Sequence, residues 1–149
     1  MSNIKMIAFT FLLFLSLIKT TVYASDAPTG FKTPSNNIFC DTYKNFNNDN
    51  HPDITLQCDI VNLPIKNIPP KPKDCQFEWG HAFAISGQSK TGKRLCYSDT
   101  VRNDSLPLLA YGTEWKHKSF TCKLEKSGLI CINKNKHGFM LSRSNQKIF

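Results

Sequence analysis

The sequence predicts a small all-β domain, an antiparallel sandwich or barrel stapled by three disulfides. Three observations predict it. Six cysteines follow an apolar N-terminal segment of the kind that directs export, where thiols are oxidised in pairs. Short runs of β-branched and aromatic residues alternate with polar, glycine-marked turns. Few stretches show the 3.6-residue periodicity of an amphipathic helix.

The N-terminal segment has the features of a secretory signal peptide. Lys5 provides a positive charge, and residues 6–18 form a 13-residue apolar run. A membrane span needs about 20 apolar residues, whereas this run is closed by Lys19. We expect cleavage after Ala24, which predicts a signal peptide at residues 1–24, no membrane span in the mature form, and a periplasmic or extracellular location.

The remaining residues, 25–149, fit one disulfide-stapled β domain. The full chain carries 19 Lys and Arg residues, two of them (Lys5 and Lys19) in the signal peptide, so 17 remain against 11 acidic residues. Eight of the 17 lie in residues 116–149, where Glu125 is the single acid. This basic C-terminal third favours an anionic envelope polymer or an acidic protein as partner, with nucleic acid also possible. The alternative is an ordinary solvated lysine face.

The six cysteines occupy positions 40, 58, 75, 96, 122 and 131. None forms a Cys-x-x-Cys pair, so the spacing favours neither a zinc ribbon nor a thioredoxin-like site. An even count in an exported chain indicates three disulfides, for which 15 pairings are possible.

One pairing follows from a hairpin. The strand-like runs 120–124 and 129–133 flank a four-residue connection that ends in Gly128. With the turn centred between Lys126 and Ser127, Cys122 faces Cys131. The same register places Phe120, Leu124, Leu129 and Asn133 on the cysteine face, and Lys123 and Ile130 on the opposite face.

The other two pairings are inferred from a second hairpin and from the two cysteines that it leaves. The runs 37–43 and 54–61 are strand-like and are joined by the polar segment 44–52, which suggests a hairpin closed by Cys40–Cys58. Cys75 and Cys96 are then left to pair. Sequential connectivity is therefore our prediction, although other pairings fit the same count.

Three further segments complete the predicted elements. Residues 81–86 and 93–98 are short strands around a polar turn at 87–92, and residues 138–143 form a last strand. The segment 64–75 contains four prolines and is predicted to be an extended connector, neither strand nor helix.

Catalytic and metal-binding signatures are weak. Residues 87–93 match the start of a phosphate-binding loop, but Arg94 stands where Ser or Thr must bind magnesium. The four histidines lack the short spacing of a chelate, so we expect no metal and no cofactor. The enzymatic alternative is a small secreted hydrolase centred on His81 and Asp99, although the chain has no Gly-x-Ser-x-Gly elbow.

Aromatic rings beside glycines suggest a binding surface in the second half of the chain, because glycine lets a ligand approach the backbone and the rings offer stacking faces. Nearby basic side chains would hold an anionic group. The predicted binding residues are Trp79, His81, Tyr111, Trp115, Lys134, Lys136, His137 and Arg143. The alternative is that the rings fill a small core. Our main functional hypothesis is an exported, non-enzymatic binding module that acts through its basic C-terminal third.

Several motifs occur along the chain in a fixed order. A Phe-x-Thr-Pro-Ser-x-Asn-Ile-x-Cys start spans residues 31–40, and a Gly-Phe-x-Leu-Ser-Arg end spans residues 138–143. Together with the runs 96–100, 109–113 and 128–133, they resemble an uncharacterised family of small secreted bacterial domains. The resemblance implies a bacterial exported domain and agrees with the cysteine framework, but it transfers no catalytic residue. The chain departs from the family pattern in its lysine-rich segment 133–137 and its polar insert 45–51.

Overall fold

The computed structural model describes residues 28–45 and 53–149, which form two five-stranded antiparallel sheets. The first sheet pairs, in chain order, β1 (Gly30–Lys32), β2 (Ile38–Asn45), β3 (Asp53–Ile60), β4 (Glu78–Ser86) and β5 (Lys93–Tyr97). The second sheet pairs β6 (Glu114–His117), β7 (Phe120–Glu125), β8 (Gly128–Asn133), β9 (Gly138–Leu141) and β10 (Gln146–Ile148). Each sheet is a meander, and the all-β prediction is confirmed.

The core lies between the two sheets, because alternate residues of their strands point inward. Leu56, Cys58 and Ile60 of β3 are buried on one side, and Leu129 and Cys131 of β8 are buried on the other. Full burial of a large apolar side chain contributes about 1.5–3 kcal/mol to folding. The period-two pattern of these strands therefore sets which face of each sheet is apolar.

The hairpin of β7 and β8 has the predicted register. Cys122 lies opposite Cys131, and Phe120 lies opposite Asn133. The cysteine face is buried, whereas Lys123 and Ile130 on the other face are exposed. The short loop fixes this register, and the buried face makes a one-residue slip costly.

All three predicted disulfides are present. Cys40–Cys58 and Cys122–Cys131 join directly opposed residues of neighbouring strands, with 4.1 Å between the Cα atoms of each pair. The sulfur atoms of Cys40, Cys58 and Cys131 lie within 4.8 Å of one another, so the two disulfides meet in the core. Their sulfurs are bonded in pairs and offer no thiolate to a metal. The third disulfide, Cys75–Cys96, ties the proline-rich connector to β5.

Some elements differ from expectation. The predicted strand 138–143 ends at Leu141, and the chain turns back to form β10. The strands β1, β6 and β10 were not predicted, because three or four residues are too few to show a period-two pattern. The connector 64–75 contains a 3₁₀ turn at Ile65–Asn67, entered from Pro64, whose φ of −59° suits the first turn of a helix.

Two expectations concern parts of the chain that the structure does not describe. The signal peptide at residues 1–24 lies outside the described residues, as does the connection between β2 and β3 at 46–52. Within residues 28–45 and 53–149, no helix has the length and apolar character needed to cross a membrane.

Candidate functional site

The predicted binding residues fall at separate places in the fold. Trp115 is 8% exposed and lies in the core, where its ring centroid is 5.1 Å from that of Phe31. Its indole N–H donates to the Pro28 carbonyl at 3.1 Å. Trp79 donates its indole N–H to the Pro69 carbonyl at 3.0 Å, which holds the proline-rich connector against β4. Both tryptophans therefore have partners within the protein.

His81 also has an internal partner. Its Nδ1 is 2.7 Å from the Ile60 carbonyl, so the ring bridges β4 to β3 as the N–H donor. Asp99 lies beyond the end of β5, and its carboxylate accepts a bond from the Ser98 hydroxyl at 3.0 Å. Among the described residues no hydrogen bond joins His81 to Asp99, so no general-base pair is assembled there.

Tyr111 and Arg143 meet at one end of the sandwich. Both line a cavity of about 310 Å³ together with Glu125 and Lys126 of the β7–β8 turn. Hydroxyl groups of Thr33, Ser35, Ser127, Ser142 and Ser144 line the same cavity. Residues from the start and the end of the domain thus come together here.

Lys134, Lys136 and His137 lie in the β8–β9 turn at the opposite end. Asn133, 2% exposed, organises this turn: its side-chain oxygen accepts from the backbone N–H groups of Asn135 and His137. Its Nδ2 donates to the Ser86 and Ser89 carbonyls at 3.0 and 2.7 Å. One buried amide therefore fixes the β8–β9 turn against the β4–β5 turn of the other sheet.

Further turns reach the same end. Gly87 of the β4–β5 turn packs beside Ser119 of the β6–β7 turn and Asp53 at the start of β3. Lys118 and Lys136 both have positive φ values, 52° and 64°, which mark sharp turns. We call this the lysine-rich end and define it by its exposed lysines, which are Lys44, Lys90, Lys118, Lys134 and Lys136. None of them has a carboxylate within 4.0 Å among the described residues.

A cavity of about 480 Å³ opens at the side of this end, between β2 and the edge strand β6. Lys44, Lys116, His117 and Lys118 line it, with hydroxyls of Thr29, Thr42 and Tyr43. Lys116 is paired with Glu114 at 3.2 Å on the surface. The cavity thus combines ammonium groups with hydroxyl donors, which is the chemistry that binds anions.

A second surface was missed at the sequence level. The outer face of the first sheet has a cleft of about 520 Å³, which we call the tyrosine cleft; it is lined by Tyr43, Gln57, Phe77, Leu95, Cys96, Tyr97, Ser98, Asp99, Thr100 and Val101. Burial, and secondarily the charge of Asp59, raises the pKa of both Tyr43 and Tyr97, although a bond to Thr55 partly offsets the rise at Tyr43. Both phenols therefore keep their protons at neutral pH.

The tyrosine cleft could not be found from local motifs, because its residues come from β2, β3, β5 and the segments before β4 and after β5. A weak signal was present in β3, where the polar residues Thr55, Gln57 and Asp59 alternate with Leu56, Cys58 and Ile60. All three polar side chains are buried, so another segment must cover the outer face of this strand.

Comparison with known proteins identifies the family to which this chain belongs. Residues 10–149 match the model of a family described as "Family of unknown function (DUF6636)". The chain belongs to this family. No curated protein and no solved structure matches it. The DUF6636 match covers both sheets and all six cysteines, so membership agrees with the resemblance drawn from the sequence while assigning no activity.

Proposed function

We propose that this DUF6636 protein is an exported, non-enzymatic binding module that engages a polyanionic partner of the cell envelope through its lysine-rich end. The observation that carries the proposal is the meeting of lysines from both sheets at one end of the sandwich. Three disulfides accord with an oxidising compartment outside the cytoplasm.

The arrangement of the lysines favours an extended polyanion over a single small anion. Neighbouring strands lie about 4.8 Å apart, and the centres of the β6–β7 and β8–β9 turns are separated by two such spacings. The lysines of these two turns are therefore spread over roughly 10 Å. All five ammonium groups sit on exposed side chains. Several weak, solvated contacts suit a partner that carries repeated negative charges, and the positive field also accelerates the encounter with that partner.

The test is co-sedimentation of the oxidised mature protein with peptidoglycan, lipopolysaccharide, DNA and envelope protein extract, each at low and high salt. The Lys134→Glu, Lys136→Glu variant should lose roughly tenfold in retention by the polyanion, because it reverses two charges of the lysine-rich end. Lys71→Glu with Lys73→Glu makes the same charge change at exposed positions of the connector and serves as the matched control.

Equal losses in the two variants would show a nonspecific charge effect and contradict the proposal. So would retention that is equal for all four materials and vanishes with salt, because that is the behaviour of a screened, solvated lysine face. Salt-resistant retention by the protein extract alone would contradict a polymer partner and indicate an acidic protein.

A further inference from the structure

We propose that the tyrosine cleft is a second binding site, separate from the lysine-rich end, and that its ligand is an uncharged, polyhydroxylated sugar ring of a glycan. The proposal rests on four features of the cleft: its floor, its wall, its unused acceptor and its exposed rings.

The floor is formed where polar side chains of β3 face outward beside small residues of β4. Gln57 pairs with Ala84, and Asp59 pairs with Ala82. Both alanines are fully buried, and of these four residues Gln57 is the one that lines the space of the cleft. Tyr43 on β2 borders this space and is 40% exposed.

The wall is the segment that follows β5, and partly buried hydrogen bonds hold it in place. Asp59 is 4% exposed, and its Oδ2 accepts from the Thr100 hydroxyl at 2.7 Å and from the Val101 N–H at 2.9 Å. The amide of Gln57 donates to the Asp99 carbonyl at 3.2 Å. The cleft is thus built by specific contacts between its floor and its wall, which suits a preformed site.

Gln57 brings an unused acceptor into the cleft. It is 5% exposed, and its Nε2 donates both to Asp59 Oδ1 at 3.0 Å and to the Asp99 carbonyl. Both partners are acceptors, which fixes the orientation of the amide. Within residues 28–45 and 53–149, no group donates a hydrogen bond to its Oε1. Every fully buried side-chain N or O atom of these residues does have a hydrogen-bond partner. The oxygen is therefore not fully buried, and because Gln57 lines the cleft it can accept a bond from a ligand there.

The charges around the cleft select the kind of ligand. Asp59, Asp99 and Glu78 disfavour an anion. A cation finds weak support, because both oxygens of Asp59 already accept hydrogen bonds and Asp99 is exposed and screened by solvent. The site offers acceptors at Gln57 and Asp99 and neutral phenols that both donate and accept.

Aromatic rings complete the match to a sugar. Phe77 lines the cleft and is 58% exposed, so its ring face is open to a ligand that enters the cleft. The rings of Tyr43 and Tyr97 line the same cavity. A pyranose presents C–H faces that pack on such rings and hydroxyls that both donate and accept, so one ligand satisfies rings, phenols and acceptors together.

The experiment is a titration of the oxidised mature protein with neutral oligosaccharides of glucose in α-1,4 and β-1,4 linkage and of N-acetylglucosamine, up to about 10 mM, which detects millimolar affinity. Binding is followed by backbone and side-chain amide NMR shifts, with choline as the cationic probe. We expect at least one neutral saccharide to bind, to shift the Gln57 amide, and to bind equally at low and high salt.

Phe77→Ala and Tyr97→Ala should each weaken that binding roughly tenfold, because each removes one ring from the cleft. Phe77 is exposed, so its variant keeps the fold, and circular dichroism checks both. Exposed Tyr111→Ala, at the far cavity, is the matched control and should bind normally. Tyr43 is left intact because it also borders the cavity beside the lysine-rich end.

No binding by any neutral saccharide would overturn the proposal, as would binding that neither cleft variant weakens. Shifts at the cleft with choline alone would overturn the ligand class. The Lys134→Glu, Lys136→Glu variant should bind the saccharide normally, so a failure of this proposal is distinguishable from a failure of the polyanion proposal.

Discussion

Asn133 shows how one side chain can join the two sheets. Its four hydrogen bonds satisfy two N–H groups of its own turn and two carbonyls of the β4–β5 turn. A buried polar group that loses its partners costs about 1–3 kcal/mol. The positions of the lysines in both turns therefore depend on a residue that carries no charge.

We predict that Asn133→Ala lowers the free energy of unfolding by about 3 kcal/mol, since it leaves several backbone groups without partners. Asn133→Asp should cost at least as much at neutral pH, because a carboxylate would face the Ser86 and Ser89 carbonyls. Chemical denaturation measures both. Exposed Asn135→Ala is the control and should change stability by less than about 0.5 kcal/mol; an Asn133→Ala variant as stable as this control would contradict the prediction.

Two glycines illustrate different reasons for lacking a side chain. A Cβ at Gly138 would overlap the backbone carbonyl of Cys131 on the paired strand β8. Gly112 has a φ of +80° but open space around it. Packing therefore constrains the first position, and backbone conformation constrains the second.

Gly138→Ala should lower the free energy of unfolding by about 3 kcal/mol or more, because backbone must move in a packed pair of strands. Gly112→Ala should cost about 1–2 kcal/mol, which is the price of a left-handed conformation for alanine. Thermal and chemical unfolding of both variants test the order. A larger loss at Gly112 would show that strand packing around Gly138 is loose.

At the scale of elements, the three disulfides differ in their exposure. Cys40, Cys58, Cys122 and Cys131 have no exposed surface, whereas Cys96 lies exposed on β5. Thiol–disulfide exchange requires access of the attacking thiolate to a sulfur atom. The bond that ties the proline-rich connector is therefore the accessible one.

We predict that mild reductant acting on the native protein reduces Cys75–Cys96 at least roughly tenfold faster than the other two disulfides. Alkylation followed by peptide mass analysis measures the order. Loss of this crosslink should lower stability by about 3 kcal/mol, the value expected for a loop of its 21-residue separation. Earlier reduction of a core disulfide would contradict the prediction; a Cys75→Ala, Cys96→Ala variant separately measures the stability term.

The elements that were predictable from the sequence are those whose pattern is local. The β7–β8 hairpin followed from one short turn, and its register fixed the Cys122–Cys131 pair. The strands β1, β6 and β10 are set by pairing with longer neighbours, which a local pattern does not reveal. Edge strands of this length are stabilised by tertiary context more than by their own propensity.

At the scale of the whole molecule, composition predicted a positive surface but not its position. The basic C-terminal third supplies Lys118, Lys134 and Lys136, whereas Lys44 and Lys90 come from the first sheet. Their meeting depends on how the two meanders pack, which no local motif encodes. The tyrosine cleft lies on the first sheet alone and was hidden because Tyr43, Gln57 and Tyr97 lie far apart in the chain.

The two tyrosines of the cleft also give the folded protein a pH dependence. Burial raises the pKa of Tyr43 and Tyr97 above the ordinary value of 10.0. A group whose pKa is higher in the folded state contributes its full stability at pH values below its unfolded-state pKa. That contribution is lost as pH rises through its folded-state pKa. The free energy of unfolding should therefore fall as pH rises above about 10.

Chemical denaturation between pH 8 and about 11 tests this, with tyrosinate absorbance reporting the ionisation. The hydrogen bond to Glu125 raises the pKa of the exposed Lys123, so deprotonation of Lys123 also lowers stability as pH rises. A control variant must therefore separate the effect of the phenols from that of Lys123. Tyr43→Phe with Tyr97→Phe removes both hydroxyls, keeps both rings and leaves Lys123 in place. This variant should lose less stability than the wild type over the same pH interval, because it lacks the two phenols that ionise in the wild type and still has Lys123. Equal losses in the free energy of unfolding of the two proteins would mean that the hydroxyls of Tyr43 and Tyr97 are not shielded from solvent in the cleft.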